Sequence, residues 1–448
     1  MTSTPERDEK VHDRPVPPED LRKVKRAALA SLLGTSLEYY EFFLYGSAAA
    51  LVFGKVFFPA ENEFIGTLLS LATFAIAYLV RPIAAAVLGH FGDRIGRKKM
   101  LMFILALMGT ATFLIGCLPG YDTIGIWAPI LLIVLRVLQG VSVAGEQAGS
   151  STLTLEHSPH GRRAFFTSFT PAGSAGGFLL GTAVFAAVSE LPEDMLLSWG
   201  WRVPFWASAV LVVGAYLVRR HLEEPEALAE ARASGKAESA PLSVLLRTHR
   251  KDLIRVFVIS LYATIQQVPP IFGVAFATSP AVGIAKSTML WTTVASFVVG
   301  LMVFPLAGAA ADRYGRKPVF LVGVLGSGVM IFVYFSAITS GEISMIFLAA
   351  IVLNGMVGVL PTAIHPSFFG EMFHVKVRFT GLALGTQIGF AICGLTPTIG
   401  WALIGEGGTN WLPVAWMFLG FCLVSAVAAT TARETYRTPL GELGNPVS

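Results

Sequence analysis

Charge is what this chain has least of. Asp, Glu, Lys and Arg make up 14% of its 448 residues, where a soluble domain carries about 25%. Hydrophobic residues reach 54% and the mean hydropathy is +0.65, which excludes a molecule built around one water-coated core. Cysteine is nearly absent. Cys117, Cys393 and Cys422 stand alone within apolar stretches, so neither a disulfide nor a metal site is expected. No His-Glu-x-x-His pair and no glycine-rich phosphate loop occurs, and no cofactor is expected. The first 26 residues are polar and charged, so no cleavable signal segment is expected ahead of the first apolar run. The formal charge of +4 reflects where basic residues are placed, and no nucleic-acid partner is expected.

What the chain does have is twelve apolar blocks. Most exceed the ~20 residues that a helix needs to cross about 30 Å of hydrocarbon, and none alternates as a membrane β-strand would. The pattern predicts helices over roughly 27–54, 64–89, 100–118, 125–150, 164–189 and 200–219, then 254–278, 288–311, 318–338, 343–369, 379–403 and 410–431. Arg81 and Arg136 fall inside helices, and only Lys55, Arg202 and Lys286 fall in connections on one side. The other Lys and Arg residues lie in the tails and on the opposite side. The positive-inside rule then places both termini in the cytoplasm, in a multi-pass protein of the cell (inner or plasma) membrane.

A decapeptide occurs twice. Gly89-His90-Phe91-Gly92-Asp93-Arg94-Ile95-Gly96-Arg97-Lys98 returns 219 residues later as Gly308-Ala309-Ala310-Ala311-Asp312-Arg313-Tyr314-Gly315-Arg316-Lys317. Glu156 and Arg163 return as Glu371 and Arg378, offset by 215. A repeat of this size predicts two pseudo-symmetric six-helix bundles, with function where they meet. The expected division is a tail over 1–26, bundles over 27–219 and 253–431, a linker over 220–252 and a tail over 432–448. His221-Leu222-Glu223-Glu224-Pro225 and the Ala/Glu/Arg run after it suggest a short surface helix in the linker.

Ionisable groups inside the apolar blocks carry the chemical signal, because each costs about 2.5–3.5 kcal/mol at mid-membrane on insertion scales. Glu38 and Glu41 sit three apart on one face of the first helix. A part-desolvated carboxylate pair suits a proton carrier, and Glu146 in helix 4 is a third candidate. The alternative is that one glutamate simply pairs with a buried arginine. Arg81 and Arg136 offer the planar donor fork that suits a carboxylate. One would bind substrate while the other neutralises Glu38 or Glu41, and the sequence does not assign which. Gln139 and Gln147 share helix 4 with Arg136, and Tyr39 adjoins the glutamates. The second half offers neutral groups: Tyr262, Gln266 and Gln267, Trp291, Asn354, His365 and Gln387. Gln266-Gln267 before Pro269-Pro270 predicts a broken-helix contact, although single polar residues in a bundle are also interhelical glue.

These residues resemble a known family. The repeated decapeptide is similar to the helix 2–3 and 8–9 signature of the major facilitator superfamily, and Arg136-Val137-Leu138-Gln139-Gly140 to its helix 4 signature. Gly34-Thr35-Ser36-Leu37-Glu38-Tyr39-Tyr40-Glu41-Phe42-Phe43, Leu118-Pro119-Gly120-Tyr121, Gly145-Glu146 and Ser198-Trp199-Gly200-Trp201-Arg202-Val203-Pro204-Phe205 resemble the metabolite:proton symporters within it. The chain departs from that pattern at Glu41, where aspartate is usual, and at Gln147, where tryptophan is usual. The resemblance implies a cytoplasmic gate. In it Gly89 and Gly308 allow close approach, and Asp93 faces helix 11 and Arg378. Asp312 mirrors it at helix 5 and Arg163. Glu156 bridges to Arg94 and Arg97, and Glu371 to Arg313 and Arg316.

The expected function is proton-coupled import of a small organic anion by alternating access, in a monomer embedded in the lipid bilayer. A betaine-like zwitterion and export are the alternatives. A short tail without heptads after residue 431 speaks against the osmosensing branch. Enzyme activity is not expected.

Overall fold

The computed structural model describes residues 18–59, 62–95, 97–143, 146–210, 241–375 and 377–444, and no strand occurs among them. Twelve helical segments follow in order. They are α1 (Pro18–Leu51), α2 (Glu63–Ile95), α3 (Arg97–Cys117) and α4 (Trp127–Val143, resuming as Glu146–His157). Next come α5 (Arg163–Ser189), α6 (described over 202–210), α7 (Arg250–Ala277) and α8 (Lys286–Tyr314). The last are α9 (Arg316–Ser340), α10 (Ile343–Gly370), α11 (Arg378–Ile404) and α12 (Leu412–Thr430). Eight described helices are long and apolar enough to cross a membrane, and two shorter apolar ones lie within α3 and α4. The expected surface helix of the linker falls on residues 211–240, outside the described residues. Pro241–Thr248 beyond it is helical.

The outer surface explains the composition. On α8, Trp291, Val298, Met302 and Leu306 are all exposed and recur at helical spacing, forming one apolar stripe. Such a stripe is stable only against hydrocarbon. α7 is not regular. Tight turns over Ser260–Gln266 give way to widened turns over Val268–Phe272, because Pro269 and Pro270 supply no N–H to the ladder. The helix is deformed where the break was expected but runs on from Arg250 to Ala277.

Packing sorts the helices into two groups. α1 lies on α5 and α2 on α4, while α9 lies on α12 and α7 on α11. The groups meet where α5 packs on α8 and α2 on α11. Two glycines set how close helices come. A Cβ on Gly140 would lie 2.6 Å from the Ala77 carbonyl oxygen, and one on Gly308 2.6 Å from that of Ala164. Both neighbours are backbone and cannot swing aside. Arg202 ties the start of α6 to the end of α3 by donating to the Gly116 and Leu118 carbonyls, groups that a helix C-terminus leaves open.

At the end away from the repeated motif, Glu193 pairs with Lys55 at 2.9 Å and with Lys286 of the other group at 3.5 Å. The Lys55 hydrogen bond, then the Lys286 charge, hold the Glu193 carboxyl below its usual range, and Glu193 holds the Lys55 ammonium up. A cavity of about 300 Å³ opens beside this cluster, lined by Lys55, Glu63, Lys286, Trp401 and Glu406. Trp401 donates to the Phe64 carbonyl at 3.0 Å and stacks on the Phe64 ring, again joining the groups.

Two outcomes follow. Gly308→Val should push α8 off α5 and cost about 1–3 kcal/mol, read as a lower thermal midpoint, with Gly308→Ala losing less. A depressed carboxylate keeps its tie at neutral pH and loses it as pH falls through the lowered value. Spin labels at Asp194 and Ala285 should therefore hold their distance around neutral pH, and any loosening of this exposed tie should be small and confined to pH below the ordinary carboxylate range.

Candidate functional site

Buried charge collects at the centre and at the motif end. At the centre, Glu41, Arg81, Arg136 and Gln139 are each at most 2% exposed. α1 supplies Glu41 and, one residue on, the Phe42 ring. Both guanidinium carbons, of Arg81 from α2 and Arg136 from α4, stand 4.3 Å from that ring's centroid. Tyr78 covers Arg81 at 4.4 Å, and Tyr45 covers Arg136 at 3.9 Å. Aromatic faces compensate part of the hydration that a buried cation loses. They are not counter-ions. Among the described residues neither arginine has a carboxylate within 4.0 Å.

Among the described residues no arginine pairs with Glu41, and the expected alternative, a pair with Glu38, lies outside the described side chains. Glu41 Oε2 instead accepts from the Thr112 hydroxyl of α3 at 2.7 Å. Thr112 accepts from Gln139 Nε2 at 2.7 Å, and Gln139 Oε1 accepts from Arg136 Nη1 at 3.0 Å. Arg136 Nη2 donates to the Phe74 carbonyl. Arg81 Nε and Nη2 and Arg136 Nε have no hydrogen-bond partner among the described residues.

The facing wall comes from α7, α10 and α11. Gln267 Nε2 donates to the Tyr78 hydroxyl at 2.8 Å, joining the groups beside Arg81, while its Oε1 lacks a partner. Gln387 is buried with Oε1 likewise unmatched. Tyr262 is enclosed by the rings of Phe320, His365, Phe369 and Phe390. Gln266 reaches Thr362 at 3.3 Å, and the His365 ring meets the Thr362 carbonyl. Tyr39 is buried against Phe43. Asn354 lies half-buried in the widened turn Ile351–Val357 of α10. Trp291 does not join this wall. It is 43% exposed on the apolar stripe of α8, because the helical phase that buries Leu290, Thr292 and Thr293 turns it outward.

At the motif end the structure brings the second copy together. Asp312 accepts from the Ala164 and Phe165 N–H groups at 3.0 and 2.9 Å, a carboxylate at the positive end of α5. Glu371 is fully buried. It takes a two-point contact from Arg316 (2.9 and 3.2 Å) and an ion pair from Arg163 at 3.2 Å. Arg378 pairs with Glu156 at 3.2 Å. The repeated Glu/Arg pairs therefore exchange partners: each glutamate holds the other group's arginine. Arg313 lies exposed over Tyr314, so Arg316 alone of its pair meets Glu371. Glu38, Gly89, Asp93, Arg94, Arg97, Glu146 and Gln147 lie outside the described side chains.

The sequence reading missed two features. Thr112 is one threonine in an apolar helix and gave no signal. The tail over 432–444 is not a loose end. Glu434 caps the first N–H groups of α9 at Arg316 and Lys317, the Thr435 hydroxyl meets Glu371, and Arg163 donates to the Thr435 and Thr438 carbonyls.

Comparison with known proteins agrees with this architecture. The family model described as "Sugar (and other) transporter" matches twice, over residues 27–226 and 214–442. The chain is 36% identical to the shikimate transporter of Escherichia coli K12, covering 93% of this chain and 96% of that one. It is 32% identical to the proline/betaine transporter of the same organism, covering 93% and 85%. The solved structure of the proton:xylose symporter XylE bound to 6-bromo-6-deoxy-D-glucose superposes with a TM-score of 0.72 at 16% identity, covering 94% and 98%. With this fold and these matches, the chain belongs to the sugar (and other) transporter family of the major facilitator superfamily, and is a multi-pass membrane transporter rather than an enzyme.

Proposed function

We propose that this transporter is a proton-coupled symporter that imports a small organic acid across the cell membrane, working as a monomer. The observation that carries the reading is the pair of buried guanidinium groups beside Phe42, whose N–H donors are partly unmatched and which have no carboxylate within 4.0 Å among the described residues. A desolvated cation pair is satisfied by an anion, and planar forks favour a carboxylate. Arg81 is the direct ligand in this reading, because Arg136 already donates to Gln139 and Phe74. Tyr39, Gln139, Tyr262, Gln266, Asn354 and Gln387 complete the surroundings, with Gln147 on α4. Glu41 is the proton carrier, with Glu38 and Glu146 as further members of the path.

The named relatives pose a choice between a hydroxylated ring acid and a betaine. The unmatched Gln267 and Gln387 carbonyl oxygens are acceptors, and a quaternary ammonium has no hydrogen to give them. A carboxylate that also bears hydroxyl groups fits better.

Alternating access uses the motif end as the cytoplasmic gate, an orientation supported by the placement of Lys and Arg. The bundles over 27–219 and 253–431 rock about the central site once the exchanged ion pairs break. Asp93, Arg94, Arg97 and Gly89 supply the first copy of the gate in this scheme.

In proteoliposomes, radiolabelled shikimate should accumulate about tenfold per unit of inward proton gradient if one proton accompanies a monoanion, and a protonophore should abolish it. Glu41→Gln should keep counterflow and lose uphill uptake; uphill uptake at the wild-type level would sink the assignment. Arg81→Leu should weaken acid binding about tenfold to a hundredfold, while glycine betaine competes poorly in the wild type. Glu371→Gln takes the paired carboxylate from buried Arg163 and leaves Arg316 with Asp312 alone, a loss of about 3–5 kcal/mol to the closed gate. Spin labels at exposed His157 and Val375 should then shift to longer distances.

A further inference from the structure

Glu41 is buried in α1 and has no ion pair among the described residues, yet a carrier must be stable there both with and without its proton. Among the described side chains, which do not include that of Glu38 on the same face, the groups around Glu41 are few. On its own helix are Tyr40, whose hydroxyl donates to the Pro204 carbonyl, and Tyr45, which donates to Thr73. α2 presents Tyr78 and Arg81, held against Phe42 and Gln267. α4 presents Arg136 and Gln139, and α3 presents only Thr112. Of these, Thr112 alone touches the carboxyl. Its Oγ1 lies 2.7 Å from Glu41 Oε2, 2.7 Å from Gln139 Nε2 and 3.0 Å from the Met108 carbonyl.

Those three neighbours match what one hydroxyl can do, since it has one hydrogen to give and two lone pairs to offer. With Glu41 ionised, the hydroxyl donates to the carboxylate and accepts from Gln139. The chain then runs donor to acceptor without a break: Arg136 to Gln139 to Thr112 to Glu41, from cation to anion. Bonds aligned this way reinforce one another in a low-dielectric interior. With Glu41 protonated, the acid hydrogen points to Thr112 Oγ1 and the threonine hydrogen turns to Met108. Every group stays satisfied and no heavy atom moves, but the last link is reversed and the reinforcement on Arg136 is lost.

We propose that Thr112 is the positioning residue that lets Glu41 sit buried in both protonation states and passes the difference through Gln139 to Arg136. This rests on the reading of Glu41 as the proton carrier. The coupling needs no direct ion pair between acid and arginine. The proton bound by Glu41 comes from solvent and returns to it, so nothing else is consumed.

The test needs no transported substrate. Purified protein in lipid is titrated with pH while its infrared carboxyl bands are followed, and the band lost in Glu41→Gln is assigned to Glu41. An Arg136 guanidinium band, assigned by its loss in Arg136→Lys, is followed alongside. In the wild type both bands should change with one midpoint. In Thr112→Val the Glu41 midpoint should move by about one to two pH units, the scale of one hydrogen bond to a charged group, and the Arg136 band should stop following it. Thr112→Ser should restore both behaviours, and Thr112→Ala stands in for valine if that variant folds poorly. A valine or alanine variant that titrates like the wild type, with Arg136 still following, overturns the proposal. If Glu41→Gln removes no titrating band, the reading of Glu41 as carrier fails, and the relay with it.

Discussion

Exchange of partners between two repeated ion pairs holds the motif end together. Glu371 takes Arg163 from the first group of helices, and Glu156 takes Arg378 from the second. Glu371 also holds Arg316 of its own group, but among the described residues Arg163 and Arg378 find their carboxylates across the groups, so closure of that end and pairing of these two arginines are one event. Asp312 on the start of α5 and Glu434 on the start of α9 extend the same logic to helix ends. Glu371, fully buried, serves Arg316, Arg163 and Thr435 together, as burial of charge requires. The glycine at 308 is what lets α8 come near enough for Asp312 to reach.

The centre follows the opposite rule. Among the described residues its two arginines are wrapped in aromatic rings and short of hydrogen-bond acceptors, and its glutamate meets a hydroxyl rather than a cation. Where the motif end is electrically complete, the centre is incomplete in a way that an incoming anion and a proton would complete. This contrast supports the functional reading more than any single residue does. The facing wall adds neutral carbonyls and rings, so in the proposed site charge and shape would be recognised by different groups of helices.

Much of this was readable in the sequence because membrane insertion makes polarity expensive. Twelve blocks, their helical class and the deformation of α7 at Pro269-Pro270 follow from hydropathy and from missing backbone donors. The repeat showed that Asp312, Glu371, Arg316 and Arg378 belong together. It could not show the exchange of partners, since offset counts along the chain carry no information about which copy faces which. Trp291 was misplaced because a tryptophan suits a binding wall and a lipid stripe alike, and only helical phase separates them. Thr112 was missed for a plainer reason: threonine is tolerated in any apolar helix, and its importance comes from three neighbours on other turns and helices. The tail looked free because polar residues after a last helix usually are.

The two ends are closed by different physics. One is sealed by buried charges. The other is sealed across the groups by Trp401 stacked on Phe64, and the ions described beside it are solvent-exposed and contribute little. Parting the second seal uncovers apolar surface and carries a positive heat-capacity change. Parting the first hydrates ions, whose hydration weakens as temperature rises. The populations of the two access states must then drift with temperature even without substrate or gradient. The growth temperature of the cell thus becomes a term in which way the transporter rests.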